Sequence, residues 1–134
     1  SNSGFEVTNS GLNITVTSGT CFINNVMIET KESLILDISN TSNYLFDDIP
    51  PVVNSYVYLV LYYDPLVQEE AEIGFVRSNY EFELNEDSLI VLSIIDVTCI
   101  DGNISSINNI FAAHPEYPNR SRKIPIIVTD CGIL

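Results

Sequence analysis

The sequence feature that most constrains the fold is an uninterrupted run of apolar residues and tyrosines at residues 56–63. Read as a β-strand, the run places Tyr56, Tyr58 and Tyr62 on one face and aliphatic side chains, with Tyr63, on the other. Neither face is polar, so the strand must be covered on both sides. We expect the domain core on one side and, on the other, either a second sheet or a neighbouring subunit.

Shorter segments upstream show the alternation of half-buried strands. In residues 12–17, apolar and polar side chains alternate, which is the period of a strand with one face in the core. Apolar runs at residues 20–23 and 26–30 are separated by Asn24 and Asn25. Because Asn tolerates positive φ, this pair predicts a tight hairpin turn between two strands.

Turn signals divide the rest of the chain, and no long segment has helical spacing. Asp101 and Gly102 predict a second tight hairpin, and apolar residues do not recur at intervals of three and four over any long stretch. Many short strands with turns between them are typical of a sandwich or barrel. The further strands that the pattern predicts are residues 5–8, 34–38, 44–46, 71–77, 80–84, 89–97, 104–107 and 124–129.

Prolines set apart the C-terminal part of the chain. Pro115, Pro118 and Pro125 interrupt regular structure there, since proline lacks a backbone N–H and has a fixed φ. The sequence therefore predicts an all-β fold, with an antiparallel β-sandwich or barrel-like domain at residues 1–110. An extended C-terminal arm, with a candidate final strand, is predicted at residues 111–134.

The chain is strongly acidic. Its 134 residues include 18 acidic and 5 basic side chains, which gives a net charge of −13. Such a surface repels phosphate backbones and anionic lipids, so we expect neither nucleic-acid binding nor membrane insertion. The N-terminal residues do not predict a secretory signal. Because the sequence starts with Ser1 rather than Met, we expect a processed chain or a piece of a longer one.

Residue types that support catalysis are few and scattered. His114 is the only His, and it lies in a proline-bordered segment predicted outside the core. The pairs Asp47–Asp48 and Glu69–Glu70 would suit a glycosidase only if two carboxylates faced each other across about 5–10 Å. A chain this acidic is expected to expose them instead, because burying unpaired charge is costly. We therefore expect no enzymatic activity, no catalytic residues, no cofactor and no metal.

The three cysteines do not form a recognisable framework. Cys21, Cys99 and Cys131 are an odd number at wide spacing, and there is no C-x-x-C pair to suggest zinc. We expect Cys21 and Cys99 to behave as small buried apolar residues. A disulfide between one pair in an oxidising setting stays open as an alternative.

Two groups of side chains are candidates for contacts with other molecules. The first, the tyrosine stripe, is typical of a packed second face, although aromatic stripes also form subunit interfaces and glycan platforms. The second, the basic cluster of the arm, suits an acidic neighbouring chain. The members are Tyr56, Tyr58 and Tyr62 for the stripe, and Arg120, Arg122 and Lys123 for the cluster.

Several motifs follow one another in a recognisable order: G-L-N-I-T-V-T-S-G-T at residues 11–20, I-N-N at 23–25, Y-V-Y-L at 56–59, an apolar strand with a D-G turn, and I-S-S-I at 104–107. This order resembles tail-fibre and baseplate-associated proteins of tailed bacteriophages, and the resemblance covers residues 5–110. The chain differs from that pattern at Asn25, where Gly is usual. It differs again at residues 108–109, where Asn-Asn stands in place of Asp-Arg.

The resemblance implies a structural role in a virion. It implies a non-enzymatic component of a phage tail, fibre or baseplate, often trimeric and built from β-sandwich units, with host attachment as one of its roles. The expected partners are other virion proteins, further copies of the chain, with a trimer favoured, and a host-surface glycan. Two alternatives stay open: a carbohydrate-binding module that uses the tyrosine stripe, and a surface adhesin subunit of a bacterium.

Overall fold

The protein is an all-β fold of antiparallel strands in the computed structural model, which describes residues 3–79 and 88–113. Every pair of named strands is antiparallel, so the predicted fold class is confirmed. A short 3-10 helix at Thr41–Asn43 follows the sixth strand. The strands are β1 (Ser3–Gly4), β2 (Val7–Ser10), β3 (Asn13–Val16), β4 (Gly19–Ile23), β5 (Val26–Thr30), β6 (Leu34–Asp37), β7 (Ser55–Tyr62), β8 (Glu72–Arg77), β9 (Leu89–Ile100) and β10 (Asn103–Ala112).

β7 lies inside a four-stranded sheet with the order β10-β9-β7-β8, which we call the main sheet. All residues of β7 from 57 to 62 are buried. One face, represented by Leu59, packs in the main core together with residues of the other two sheets. The opposite face, represented by Val60, packs in a second, smaller cluster. The prediction that this strand is covered on both sides is therefore confirmed.

The two three-stranded sheets are the halves of one meander. The first has the order β1-β4-β5 and the second the order β2-β3-β6. Three long strands, β1 with β2, β3 with β4, and β5 with β6, therefore each run from one half into the other. They are interrupted at the same level, at residues 5–6, 17–18 and 31–33. Both halves contribute side chains to the main core, so the meander covers that face of the main sheet.

At the interruption, the first long strand turns at Gly4 and Phe5, whose φ values are 80° and 56°. The Phe5 ring enters the main core, and only 7% of its surface stays exposed. The Phe5 N–H donates to the Ser18 carbonyl at 3.2 Å, which holds the turn against the next strand. The strand predicted at residues 5–8 therefore begins later, at Val7, because Phe5 leaves the extended conformation to fill the core.

Both predicted tight hairpins are confirmed. Asn24 and Asn25 have φ values of 53° and 63°, and Asp101 and Gly102 have 54° and 80°. Two consecutive positive φ values are the signature of a type I′ turn, whose twist matches that of the strands it joins. The Asn24 amide also donates to the Tyr63 carbonyl at 3.4 Å, so the tip of the first hairpin is attached where β7 ends.

β10 is longer than its predicted segment, and two bulges interrupt its pairing with β9. The bulges lie between Ile104 and Ser106 and between Ile107 and Asn109. Each adds one residue to β10 and so inverts the alternation of its side chains. As a result Ile104, Ile107 and Ile110, which are three residues apart, all contribute to the main core.

Residues 44–46, predicted as a short strand, form a single bridge instead. Tyr44 pairs with Phe75 in parallel orientation, and the chain then bends, with a φ of 77° at Phe46. The Tyr44 hydroxyl donates to the Ile38 carbonyl at 2.6 Å, and its ring lies against Phe75 with centroids 5.3 Å apart. A buried, hydrogen-bonded side chain thus fixes this segment in place of continued strand pairing.

The last described strand extends into the region predicted as the arm. Residues 111 and 112 pair with β9 and belong to β10. The rest of the arm, residues 114–134, lies outside the described residues, as do the predicted strands at 80–84 and 124–129. The predicted strands that are observed, with ends shifted by no more than three residues, are 12–17, 20–23, 26–30, 34–38, 56–63, 71–77 and 89–97.

We expect Gly4→Ala to lower the free energy of unfolding by about 2–3 kcal/mol. A Cβ at Gly4 would lie 2.2 Å from the Ser18 carbonyl oxygen, and its φ of 80° already disfavours an L side chain. Gly11→Ala is the matched control, because Gly11 also has a positive φ but nothing within 4 Å of an added Cβ. There we expect a loss of about 1 kcal/mol. Urea denaturation measures both, and equal losses would contradict the role of Gly4 at the interruption.

Candidate interaction surfaces

The tyrosine stripe lies on the face of the main sheet that packs in the second cluster. Tyr58 and Tyr62 are buried there, and Tyr56 is half-buried at its margin. The Phe46 ring meets Tyr62 edge-on, with centroids 5.1 Å apart. The buried aliphatic residues of this cluster are Val60, Val76, Leu89 and Ile94.

This burial bears on the binding roles considered for the stripe. A glycan platform needs the flat face of an aromatic ring in solvent. Tyr58 is 2% exposed and Tyr62 is 8% exposed, so neither ring offers such a face. Of the three tyrosines, Tyr56 alone has substantial accessible surface. The arrangement favours a packed second face over a sugar-binding surface.

Burial also changes the acid–base properties of two tyrosines. Desolvation raises the pKa of the Tyr62 hydroxyl, and the nearby carboxylates of Asp64 and Glu72 raise it further. Desolvation likewise raises the pKa of the Tyr44 hydroxyl, which is enclosed beside Ile38. Both hydroxyls therefore stay protonated in the folded chain at pH values where exposed tyrosines ionise.

Most of the exposed large apolar side chains lie near the two ends of β7, some in loops and some at the ends of neighbouring strands. In the described part of the chain, thirteen large apolar residues are exposed, and nine of them lie at these ends. The group beyond the C-terminal end of β7, which we call the hairpin end, consists of Phe22, Val26, Met27, Leu66 and Val67. The group beyond its N-terminal end, the turn end, consists of Ile49, Val52, Val53 and Ile100.

The hairpin end combines the tip of the β4–β5 hairpin with the loop that follows β7. Phe22 and Met27 are cross-strand partners near that tip, which is attached to the Tyr63 carbonyl. Leu66 lies in the loop and is 90% exposed. The loop is held by Asp64, whose carboxylate accepts a hydrogen bond from the Leu66 N–H at 3.0 Å. Backbone segments with their own hydrogen bonds thus present apolar side chains to solvent.

The turn end combines the segment before β7 with the β9–β10 turn. Cys99 connects the two: its N–H donates to the Asn54 side chain at 2.7 Å, and its thiol donates to the Val53 carbonyl at 3.4 Å. Val53 and Ile100 flank this connection and are 65% and 60% exposed. The apolar residues of the two segments therefore adjoin each other.

The strand pattern predicts neither of these surfaces, because it assigns apolar residues to buried faces. The sequence does contain one signal for each surface, which is an apolar pair directly after a proline within a loop. Residues 66–67 follow Pro65, and residues 52–53 follow Pro51. A loop residue lies outside the two-residue period, so the strand pattern does not assign it to a buried face, and exposed apolar residues grouped in one place mark candidate contacts.

The basic cluster of the arm lies within residues 114–134, outside the described residues, and so does His114. In the described ranges the basic residues are Lys31 and Arg77. Arg77 forms an ion pair with Asp47. The body that precedes the arm is therefore strongly acidic.

The acidic pairs considered for catalysis belong to the surface. Asp47 is engaged by Arg77, whereas Asp48, Glu69 and Glu70 are exposed. Within residues 3–79 and 88–113, no group of three or more His, Cys, Asp or Glu side chains is placed to hold a metal ion. The same residues contain no helix with the length and apolar character needed to cross a bilayer.

Cys21 and Cys99 are free thiols in different surroundings. Cys21 is buried in the main core, and burial raises the pKa of its thiol to about 11. Cys99 is half-buried, and burial raises the pKa of its thiol as well. The predicted apolar, buried behaviour is confirmed for Cys21 and holds in part for Cys99, while Cys131 lies outside the described residues.

Comparisons with known proteins leave the family of the chain open. No protein-family model matches the sequence, and no curated protein matches it. The choice among functions therefore rests on the motif resemblance and on the surfaces described above.

We expect the free energy of unfolding to fall at alkaline pH. Tyr44 and Tyr62 have raised pKa values in the folded chain, so they stay protonated where unfolded tyrosines ionise, near about pH 10. Their contribution to stability is complete below that pH and is lost as pH rises through the folded pKa values. Urea denaturation between about pH 8 and 11, with tyrosinate absorbance, measures this. Tyr62→Phe should weaken the trend, and a stability independent of pH over this range would contradict it.

Proposed function

We propose that this chain is a non-enzymatic structural module of a phage virion, in a tail, fibre or baseplate, that joins neighbouring chains. The observation that carries the proposal is the concentration of exposed apolar side chains at the hairpin end and the turn end. Apolar surface gathered in one place is unfavourable in water and marks sites of contact. The motif resemblance supports the virion as the setting.

The position of the two ends suits a module that links one neighbour to another. β7 has eight residues and spans about 26 Å at about 3.3 Å per residue. It is buried on both faces and paired along both edges, and an apolar surface lies beyond each of its ends. In this proposal the close-packed main sheet is a rigid spacer between two contacts.

The arm supplies a second, electrostatic contact in the proposal. Three of the five basic residues lie within residues 120–123, in a chain whose net charge is −13. A basic segment is attracted to the acidic body of a neighbouring copy or of another acidic protein. The proposal therefore includes association of several copies, and the motif resemblance favours three.

The carbohydrate-binding alternative receives less support, because the burial of Tyr58 and Tyr62 removes the aromatic platform that it requires. The bacterial adhesin subunit would use the same apolar ends and differs in where the protein is located. Host attachment is accordingly proposed to proceed through protein contacts of the assembled module rather than through the tyrosine stripe.

Removal of the exposed apolar pair at the hairpin end is expected to weaken assembly. Leu66→Ser with Val67→Ser should lower the mass measured by light scattering across a concentration series. The stability of the single chain should change by less than about 0.5 kcal/mol, because both side chains are exposed in it. Ile35→Ser is the control, since Ile35 is also highly exposed but lies away from both ends, on β6. An assembly unaffected by the double variant would refute a contact at this end.

Deletion of residues 114–134 is expected to reduce assembly while the domain stays folded, because β10 ends at Ala112 and is left whole. A variant with glutamine at positions 120, 122 and 123 removes the charge and keeps the length of the arm. It should reproduce the defect, and the wild-type contact should weaken with salt, since ions screen exposed charges within about 8–10 Å. Light scattering at low and high salt checks this. A deletion variant with the wild-type mass would count against the arm as a contact.

A further inference from the structure

The two edge strands of the main sheet, β8 and β10, differ in whether another segment covers them. Along β8, the Leu45 N–H donates to the Phe75 carbonyl at 2.9 Å, so the segment beside Tyr44 covers this edge. β8 also carries the charged side chains of Glu72 and Arg77. Along the outer side of β10, no further strand is paired among the residues that the structure describes. β10 is the open edge of the described sheet.

β10 lacks two of the features that commonly keep an edge strand from pairing, and has a third, the β-bulge, only in its first part. Its ten residues contain no charged side chain and no proline, and both are frequent protections of natural edges. The two bulges disturb the first part of the strand. From Asn109 to Ala112 the register with β9 is continuous. This last part of β10 has the regular geometry that another strand needs.

The charge of the chain indicates a second copy as the partner of this edge. Two chains of net charge −13 repel each other overall, and contact between them is least unfavourable where the surfaces that meet carry no charge. β10 is uncharged over its whole length, and Phe111, which is 47% exposed, adds an apolar side chain to its regular part. A basic partner would be drawn to the acidic surface and would gain no charge attraction from this neutral strand.

We propose that two copies of this chain pair their β10 strands antiparallel, through the backbone of residues 109–112, and so join two main sheets into one. A two-fold axis relates the copies, so each contact is made twice and the pair is closed. This inference rests on the assembly role proposed above and names one of its contacts. The axis links single chains into dimers or, where trimers form through other surfaces, links trimers in pairs.

The test is the mass in solution of the full chain and of Asn109→Lys combined with Phe111→Lys. Two lysines on each strand face their counterparts across the axis, and like charges directly opposite each other disfavour strand pairing. The expected result is an even number of copies for the wild type and half that mass for the variant. Ser33→Lys with Ile35→Lys is the control, because it adds the same charge at exposed positions at and beside β6 and should keep the wild-type mass.

Amide hydrogen exchange of the unmodified chain gives a second readout. Protection of the alternate amides within residues 109–112 that point away from β9 should rise with protein concentration, because pairing buries these outward N–H groups. An unchanged mass for the folded lysine variant, or exchange independent of concentration, would overturn the pairing of β10. If the hairpin-end or arm variants still lower the mass in that case, the assembly role stands without this contact. A wild-type chain that is monomeric at all concentrations would overturn both.

Discussion

The burial of β7 on both faces is the constraint on which the rest of the structure depends. Three large side chains of β7 lie in the main core and three in the second cluster. Burying a large apolar side chain contributes about 1.5–3 kcal/mol, so exposing either face would cost on the order of 5–9 kcal/mol. That is comparable with the whole stability of an ordinary domain, about 5–15 kcal/mol. The meander on one side and the second cluster on the other are thus both required.

Because both faces of the main sheet are used for folding, the surfaces left for contact lie at the margins. The hairpin end and the turn end hold most of the exposed large apolar residues of the described chain. Among the described residues, no strand pairs with the outer side of β10. A fold of this kind separates the residues that stabilise the domain from those available to neighbours. Changes to the exposed side chains at the ends should therefore have little effect on folding.

Sequence patterns predict this fold where the two-residue period is intact and where turns have strong local preferences. The two turn dipeptides and the run at β7 are of this kind. They fail where a bulge adds a residue, since Ile104, Ile107 and Ile110 recur at intervals of three on a strand. They fail also at Phe5, where a core contact overrides extended backbone. The exposed surfaces are harder still to predict, because loop residues such as Leu66 follow no strand periodicity.

The shared interruption of the three long strands also determines where the sequence can change length during evolution. An extra residue within a paired strand would move every following side chain to the opposite face. The linker at residues 31–33 lies outside strand pairing and is exposed, so an insertion there would leave the registers of β5 and β6 unchanged. The interruption at residues 5–6 would not accept an insertion in this way, because Gly4 lies directly against Ser18. Among descendants of a common ancestor, length variation should therefore be tolerated at residues 31–33 and not at residues 5–6.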